Sequence, residues 1–122
     1  ITSFNELARE GLSSERKILN NEKSEKSYVE KCFHKEIPTL AVSEYQRLYA
    51  EQIRRWVNGK YVCLGTDGFG RSDTRENLRE FFEIDQNYIV YYALILSERN
   101  IEAKKFARDQ KLNLKKKNPW QI

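Results

Sequence analysis

Cysteine and histidine are scarce in this chain: two of the first, Cys32 and Cys63, and one of the second, His34, in 122 residues. Two cysteines in a domain of this length make no disulfide framework. A single bridge between them has no support in the sequence, so a reducing, cytoplasmic setting is expected. His34 stands two residues from Cys32, and with Cys63 the chain offers three soft ligands at irregular spacing, whereas structural zinc takes four in a recognisable pattern. One exposed imidazole and two ordinary thiols are the plainer reading. Long hydrophobic runs are missing too. The longest, Tyr88 to Leu96, is about half of what a membrane-spanning helix requires. No basic, apolar leader with a small-residue cleavage site stands at Ile1, so neither a membrane protein nor a secretory precursor is expected. There is no repeat and no low-complexity tract. No Ser/His/Asp or Cys/His set can be assembled around a lone histidine in a lysine-rich stretch.

What is present suits a globular domain. The length allows one domain, residues 1–122, and a chain of this size buries roughly two thirds of the surface it exposes when unfolded. Hydrophobic residues make up 39% and charged residues 33%, but aromatics reach 12%, which sets the composition apart from a disordered one. The net charge of +4 is small beside the contiguous basic stripe that phosphate backbones select. Lys115, Lys116 and Lys117 beside Trp120 nevertheless raise a rival function, an independent basic module that binds nucleic acid or an acidic protein.

Ile1-Thr2 reads as the end of a strand. Ser3 with Glu6 forms a capping box, so a helix is expected from Phe4 that carries Phe4 and Leu7 inward, passes through Gly11, and continues its apolar face with Leu12, Ile18 and Leu19. Asn20 to Glu36 turns to Lys, Glu, Ser and Asn and reads as a solvated excursion with a short helix. After Pro38, Thr39-Leu40-Ala41-Val42 is a short buried strand. Ser43 with Gln46 opens what reads as the clearest helix, with a stripe of Tyr45, Leu48, Tyr49, Ile53, Trp56 and Val57 and a stop at Asn58-Gly59. Tyr61-Val62-Cys63-Leu64 is the next strand. Asp73 with Glu76 caps a helix whose inner face is Leu78, Phe81 and Phe82. Tyr88 to Leu96 is a central strand or a buried helix, and its aromatic and β-branched composition favours strand. Ile101 to Leu112 is an amphipathic helix through Ile101, Phe106 and Leu112, and Lys115 to Pro119 a solvated tail. Alternating short apolar strands and helices point to an α/β fold, a three-layer α/β/α domain with a mostly parallel sheet. Two full strands are few for that architecture, so a fragment is expected whose first strand and crossover helix lie upstream of Ile1.

The glycine-rich turn after Leu64, Gly65-Thr66-Asp67-Gly68-Phe69-Gly70-Arg71-Ser72-Asp73, is the segment with the most distinctive chemistry. A strand that runs through glycines into a helix amino terminus is a phosphate-binding geometry. Here it lacks the P-loop lysine and the dinucleotide glycine spacing, and Asp67 and Asp73 would put two negative charges beside an anion. A tight structural turn is the better reading, with Phe69 set into a neighbouring surface and Arg71 satisfying the aspartates or reaching a partner chain. If the Phe69 ring is buried, its removal should cost roughly 3–5 kcal/mol. Asp67 with Asp73, or Asp73 with Glu76, could serve as an acid–base pair, but capping accounts for them.

Residues 64–85, LGTDGFGRSDTRENLREFFEID, with SFNELAREG at 3–11, LYAEQIR within Tyr45 to Val57, and the closing Asn118-Pro119, resemble one family throughout. They are similar to the carboxy-terminal domain of the homodimeric bacterial pyruvate dehydrogenases, with its transketolase-like fold. Lys17 to Pro38 departs from that family, which tends to carry prolines and apolar residues there. The resemblance implies that Tyr88 to Leu96 is a helix. It also implies a parent enzyme that decarboxylates pyruvate and passes an acetyl group to the lipoyl arm of an acetyltransferase partner. That enzyme would be a glycolysis-linked oxidoreductase of a multienzyme complex, dependent on thiamine diphosphate and magnesium held by its other domains. By the same resemblance this chain supplies no catalytic, cofactor-binding or metal residue and is inactive alone. It packs on the rest of its subunit and on the homodimer partner, away from nucleic acid and membrane, with Asp67, Phe69, Arg71 and Asp73 as turn and interface anchors.

Overall fold

The computed structural model describes residues 1–23, 25–68 and 71–121, the side chain of Trp120 excepted. In chain order the elements are α1 (Phe4–Leu19), α2 (Tyr28–Cys32), β1 (Thr39–Val42), α3 (Arg47–Glu51), a 3-10 turn (Arg54–Trp56), β2 (Tyr61–Leu64), α4 (Arg75–Phe81), α5 (Gln86–Leu96), α6 (Asn100–Asp109) and a second 3-10 turn (Pro119–Gln121). They fall into two compact units, Ile1–Thr39 with Leu48–Tyr61, and Leu40–Arg47 with Val62–Ile122. No helix among the described residues is long and apolar enough to cross a membrane.

In the first unit α1 begins where Ser3 accepts the Glu6 amide at 3.3 Å, while the Glu6 carboxylate turns to Arg9. The helix runs unbroken through Gly11, and the reason is steric. A Cβ at Gly11 would stand 2.5 Å from the Trp56 indole, so the missing side chain is a slot for the ring. One turn on, Glu15 accepts the indole N–H at 3.0 Å and pairs with Arg55 at 2.9 Å. The inward face is therefore Phe4, Leu7, Ala8, Gly11 and Glu15. Leu12, Ile18 and Leu19, expected to extend it, are exposed. Glu10 of α1 accepts the Tyr28 amide at 2.9 Å, and Ser27 with Glu30 forms a complete capping box. That buries Ser27 and Val29, so the polar stretch after residue 20 contains an anchored helix. Ile1 and Thr2, expected as a strand end, pair with no strand.

Strands β1 and β2 form a two-stranded sheet. Thr39 donates to the Lys60 carbonyl and Ser43 to that of Leu64; the bonds advance in the same direction along both strands, which makes the pair parallel. The helix expected from Ser43 to Val57 is broken. Ser43 accepts the Tyr45 amide at 3.0 Å in a local turn, and the Tyr45 carbonyl accepts the Thr66 amide at 2.9 Å. Backbone bonds to the exit of β2 thus replace the first helical turn, leaving Tyr45 and Leu48 exposed while Ile53, Trp56 and Val57 are buried.

In the second unit Thr74, not Asp73, is the N-cap of α4, accepting the Asn77 amide. Tyr88 to Leu96 lies in a helix, α5, against the compositional preference for strand. Asp85 caps it by accepting the Tyr88 amide at 2.9 Å. Helix α6 packs on α5 and buries Ala103 and Ala107, while Ile101, expected on the inner face, is 86% exposed. The expected solvated tail, Lys115 to Pro119, is exposed at Lys115, Lys117 and Asn118 but tied down at Lys116. Tyr88 donates its hydroxyl to the Asn113 carbonyl at 3.1 Å, and the Lys116 ammonium lies 4.7 Å from the Tyr88 ring while donating to the Glu80 carbonyl at 2.8 Å. Four helices end in left-handed residues without glycine: Asn21, Glu83, Glu98 and Lys111. In each, the next amide bonds five residues back, as in Ile84 to Arg79 and Leu112 to Ala107, the Schellman closure.

Candidate functional site

The glycine-rich turn leaves the carboxyl end of β2, the side of a parallel sheet where α/β proteins place their ligands. Gly65 is buried, and a Cβ there would lie 2.5 Å from the Tyr45 carbonyl oxygen and 2.6 Å from the Arg47 nitrogen. Only glycine lets these two backbones touch. The next residues continue the seam, with the Thr66 amide on the Tyr45 carbonyl and the Thr66 hydroxyl donating to the Glu44 carbonyl at 3.4 Å.

Asp67 closes it. One carboxylate oxygen accepts the Arg47 amide at 2.9 Å and the other accepts from the Arg47 guanidinium Nε. The first amide of α3 is thereby satisfied by a side chain twenty residues away. Gly68 has φ +117°, and a Cβ on it would come within 3.0 Å of the Pro119 carbonyl oxygen, so the turn also receives the end of the chain. Phe69 and Gly70 lie outside the described residues. Arg71 places its guanidinium 4.3 Å from the Phe81 ring centre rather than on Asp67, whose basic partner is Arg47. Asp73 accepts the Thr74 amide at 2.7 Å and the Asn77 side-chain amide at 2.9 Å. Those bonds, the one from Asn77 first, hold its carboxyl below the usual range.

Beside the turn, an open cleft of about 590 Å³ is bordered by Val42, Ser43, Glu44, Arg79, Glu80 and Ile84, among others. Its opposite charges are paired with each other. Arg79 bonds Glu44, and that hydrogen bond and charge hold Glu44 below the ordinary glutamate range. Elsewhere in this unit the Tyr92 hydroxyl donates to Glu83 at 2.7 Å; burial, and then that bond, push its pKa up.

The described residues of the turn do not fit a diphosphate with its magnesium ion. Backbone fills the space beside Gly65, the Thr66 amide is taken, and Asp67 presents negative charge already engaged with Arg47. Asp73 is likewise bonded to its own helix. Cys63 is a buried thiol of β2 and Cys32 an exposed one at the end of α2. Among the described residues no three His, Cys, Asp or Glu side chains gather as metal ligands. Arg47 is the residue the sequence gives no sign of, because its tie to Asp67 spans twenty positions. Thr74 had a signal, its spacing of three from Asn77.

A model of the transketolase-like TK C-terminal domain family matches residues 1–85. Among curated proteins, the chain is similar to the pyruvate dehydrogenase E1 component of Pseudomonas aeruginosa, with 51% identity over 98 residues, 77% of this chain and 11% of that protein. The same component of Buchnera aphidicola subsp. Acyrthosiphon pisum is 46% identical over 113 residues, 89% of this chain and 13% of the relative. That of Escherichia coli K12 is 45% identical over 97 residues, 77% and 11% respectively. The matched stretch of this chain thus spans 11–13% of the length of these relatives.

Proposed function

The chain belongs to the transketolase-like C-terminal domain family, and from that premise we propose that it is scaffold of the carboxy-terminal domain of a pyruvate dehydrogenase E1 component. Both compact units belong on this reading to one domain, since the family match runs from residue 1 to 85 across every crossing of the chain between them. The parent decarboxylates pyruvate and delivers an acetyl group to the lipoyl arm of its acetyltransferase partner, in the cytoplasm. Thiamine diphosphate, with magnesium, supplies the carbanion chemistry there and is held by other domains. This chain is inactive by itself. It fixes the position of those domains and of the homodimer partner, with Asp67, Phe69, Arg71 and Asp73 as turn and interface anchors.

The observation that carries the reading is the use of the acids. Asp67 and Asp73 sit where an α/β enzyme would place its chemistry, and both accept hydrogen bonds from their own polypeptide. The test is Asp67→Ala in a full-length E1 enzyme carrying this sequence. Expected is a lowered melting temperature and a smaller yield of dimer, with pyruvate turnover per folded dimer unchanged. A stable dimer that has lost turnover would make Asp67 part of the catalytic machinery and sink the proposal.

A further inference from the structure

The charge of the chain is concentrated at one end. Residues 100–122 hold seven Lys and Arg against two Asp and Glu, whereas the first 99 residues carry a net charge of −1. The fold gathers part of this excess around a single cleft of about 690 Å³ between the carboxyl half of α6 and the segment 112–115 that follows it, within the roughly 300–1,000 Å³ of ligand-sized clefts. Lys104 and Arg108, four apart, share one face of α6, Lys111 follows as the left-handed residue that closes the helix, and Lys115 closes the far side. All four are exposed, and no ion pair joins any of them to a described residue. Lys116 shows the contrast, since it is spent internally on Glu80 and Tyr88. Arg108 and Lys111 would in any case complement the carboxyl end of the α6 dipole. That leaves Lys104, more than a turn earlier, and Lys115, beyond the helix, without a structural role.

The floor between these cations is apolar. Ala107 is buried, Leu112 half-buried, and Leu114 is 47% exposed; among the described residues no acidic and no aromatic side chain lines the cleft. A ring of cations over aliphatic side chains suits a ligand that brings both carboxylates and an apolar group. Its described lining offers no stacking surface for bases. We propose that this cleft is a docking site for an acidic polypeptide segment that inserts an aliphatic side chain between Leu112 and Leu114. The site is separate from the glycine-rich turn and does not depend on the function proposed above.

The experiment is fluorescence anisotropy of a fluorescein-labelled peptide, glutamates flanking a central leucine, titrated with the full chain at low salt. Saturable binding that weakens with added salt is expected, and weakens again when glycine replaces the peptide's leucine. The double variant Lys104→Glu with Lys115→Glu, both outside the helix-closing turn, should lower affinity about tenfold with an unchanged circular dichroism spectrum. Lys115→Glu alone should lower it by less, and Lys23→Glu not at all. Undiminished binding by the double variant would overturn the assignment. So would a single-stranded oligonucleotide of matched charge that binds more tightly than the peptide, or binding indifferent to the leucine.

Discussion

Gly11 and Gly65 do the same thing sterically and teach different lessons. At Gly11 the absent side chain admits the Trp56 indole; at Gly65 it admits the backbone of Tyr45 and Arg47. The first unit is accordingly closed by apolar side chains, with Val29, Ala50 and Ile53 wholly buried and Trp56 nearly so. The glycine-rich turn of the second unit is closed by hydrogen bonds, two from Arg47 to Asp67 and one from Thr66 to Tyr45. An indole is a side chain and can turn aside as a whole, whereas a carbonyl locked in a seam cannot. The same substitution should therefore have unequal costs.

Gly65→Ala is expected to destabilise by about 3 kcal/mol, the upper end of ordinary overpacking, measured by urea unfolding. Gly11→Ala should cost only about 1 kcal/mol, because alanine returns roughly 1 kcal/mol of helix propensity against the clash. Equal costs at the two sites would break the comparison.

A smaller effect of opposite sign sharpens it. Glu98 holds φ +62° at the end of α5, a conformation glycine adopts freely. Glu98→Gly should stabilise by up to about 1 kcal/mol, and Asn21→Gly by less, since asparagine tolerates the left-handed region. A destabilised Glu98→Gly chain would mean that the glutamate side chain outweighs its backbone.

The smallest expected effect is alkaline. The folded-state pKa of Tyr92 is raised above the ordinary 10.0 by burial and by its bond to Glu83. Its contribution is complete below pH 10 and is lost as pH rises toward the folded value, because the unfolded chain releases the phenolic proton first. Tyr92→Phe should flatten the decline in melting temperature above pH 10. An identical decline in both proteins would remove Tyr92 as its source.

Much of the fold was legible. Both strands stand at their expected residues, since short apolar runs bounded by Pro38 and by Gly65 leave little choice, and α1 starts at its serine cap. The resemblance, not the composition, placed Tyr88 to Leu96 in a helix; aromatic and β-branched residues satisfy a buried helix as well as a strand. Three things were not legible. The Ser43 helix fails because the Tyr45 carbonyl and the Arg47 amide find better partners at Thr66 and Asp67, a competition no local pattern encodes. Helices α4, α5 and α6 close without glycine, so their ends carry no punctuation. Lys116 sits in a run of three lysines, and nothing in that run marks the one that folds onto Tyr88. At the turn itself the tie from Arg47 to Asp67 leaves no mark in the sequence, since the two stand twenty positions apart.

The central claim is that Asp67 holds the start of α3. Amide hydrogen exchange at Arg47 tests it most directly. In the wild-type chain that amide should exchange slowly, as should Thr66, and in Asp67→Ala it should exchange at least about tenfold faster, the equivalent of one lost hydrogen bond, while Ala50 is unchanged. An Arg47 amide that exchanges freely in the wild-type chain, or at the same slow rate after the substitution, would contradict the account.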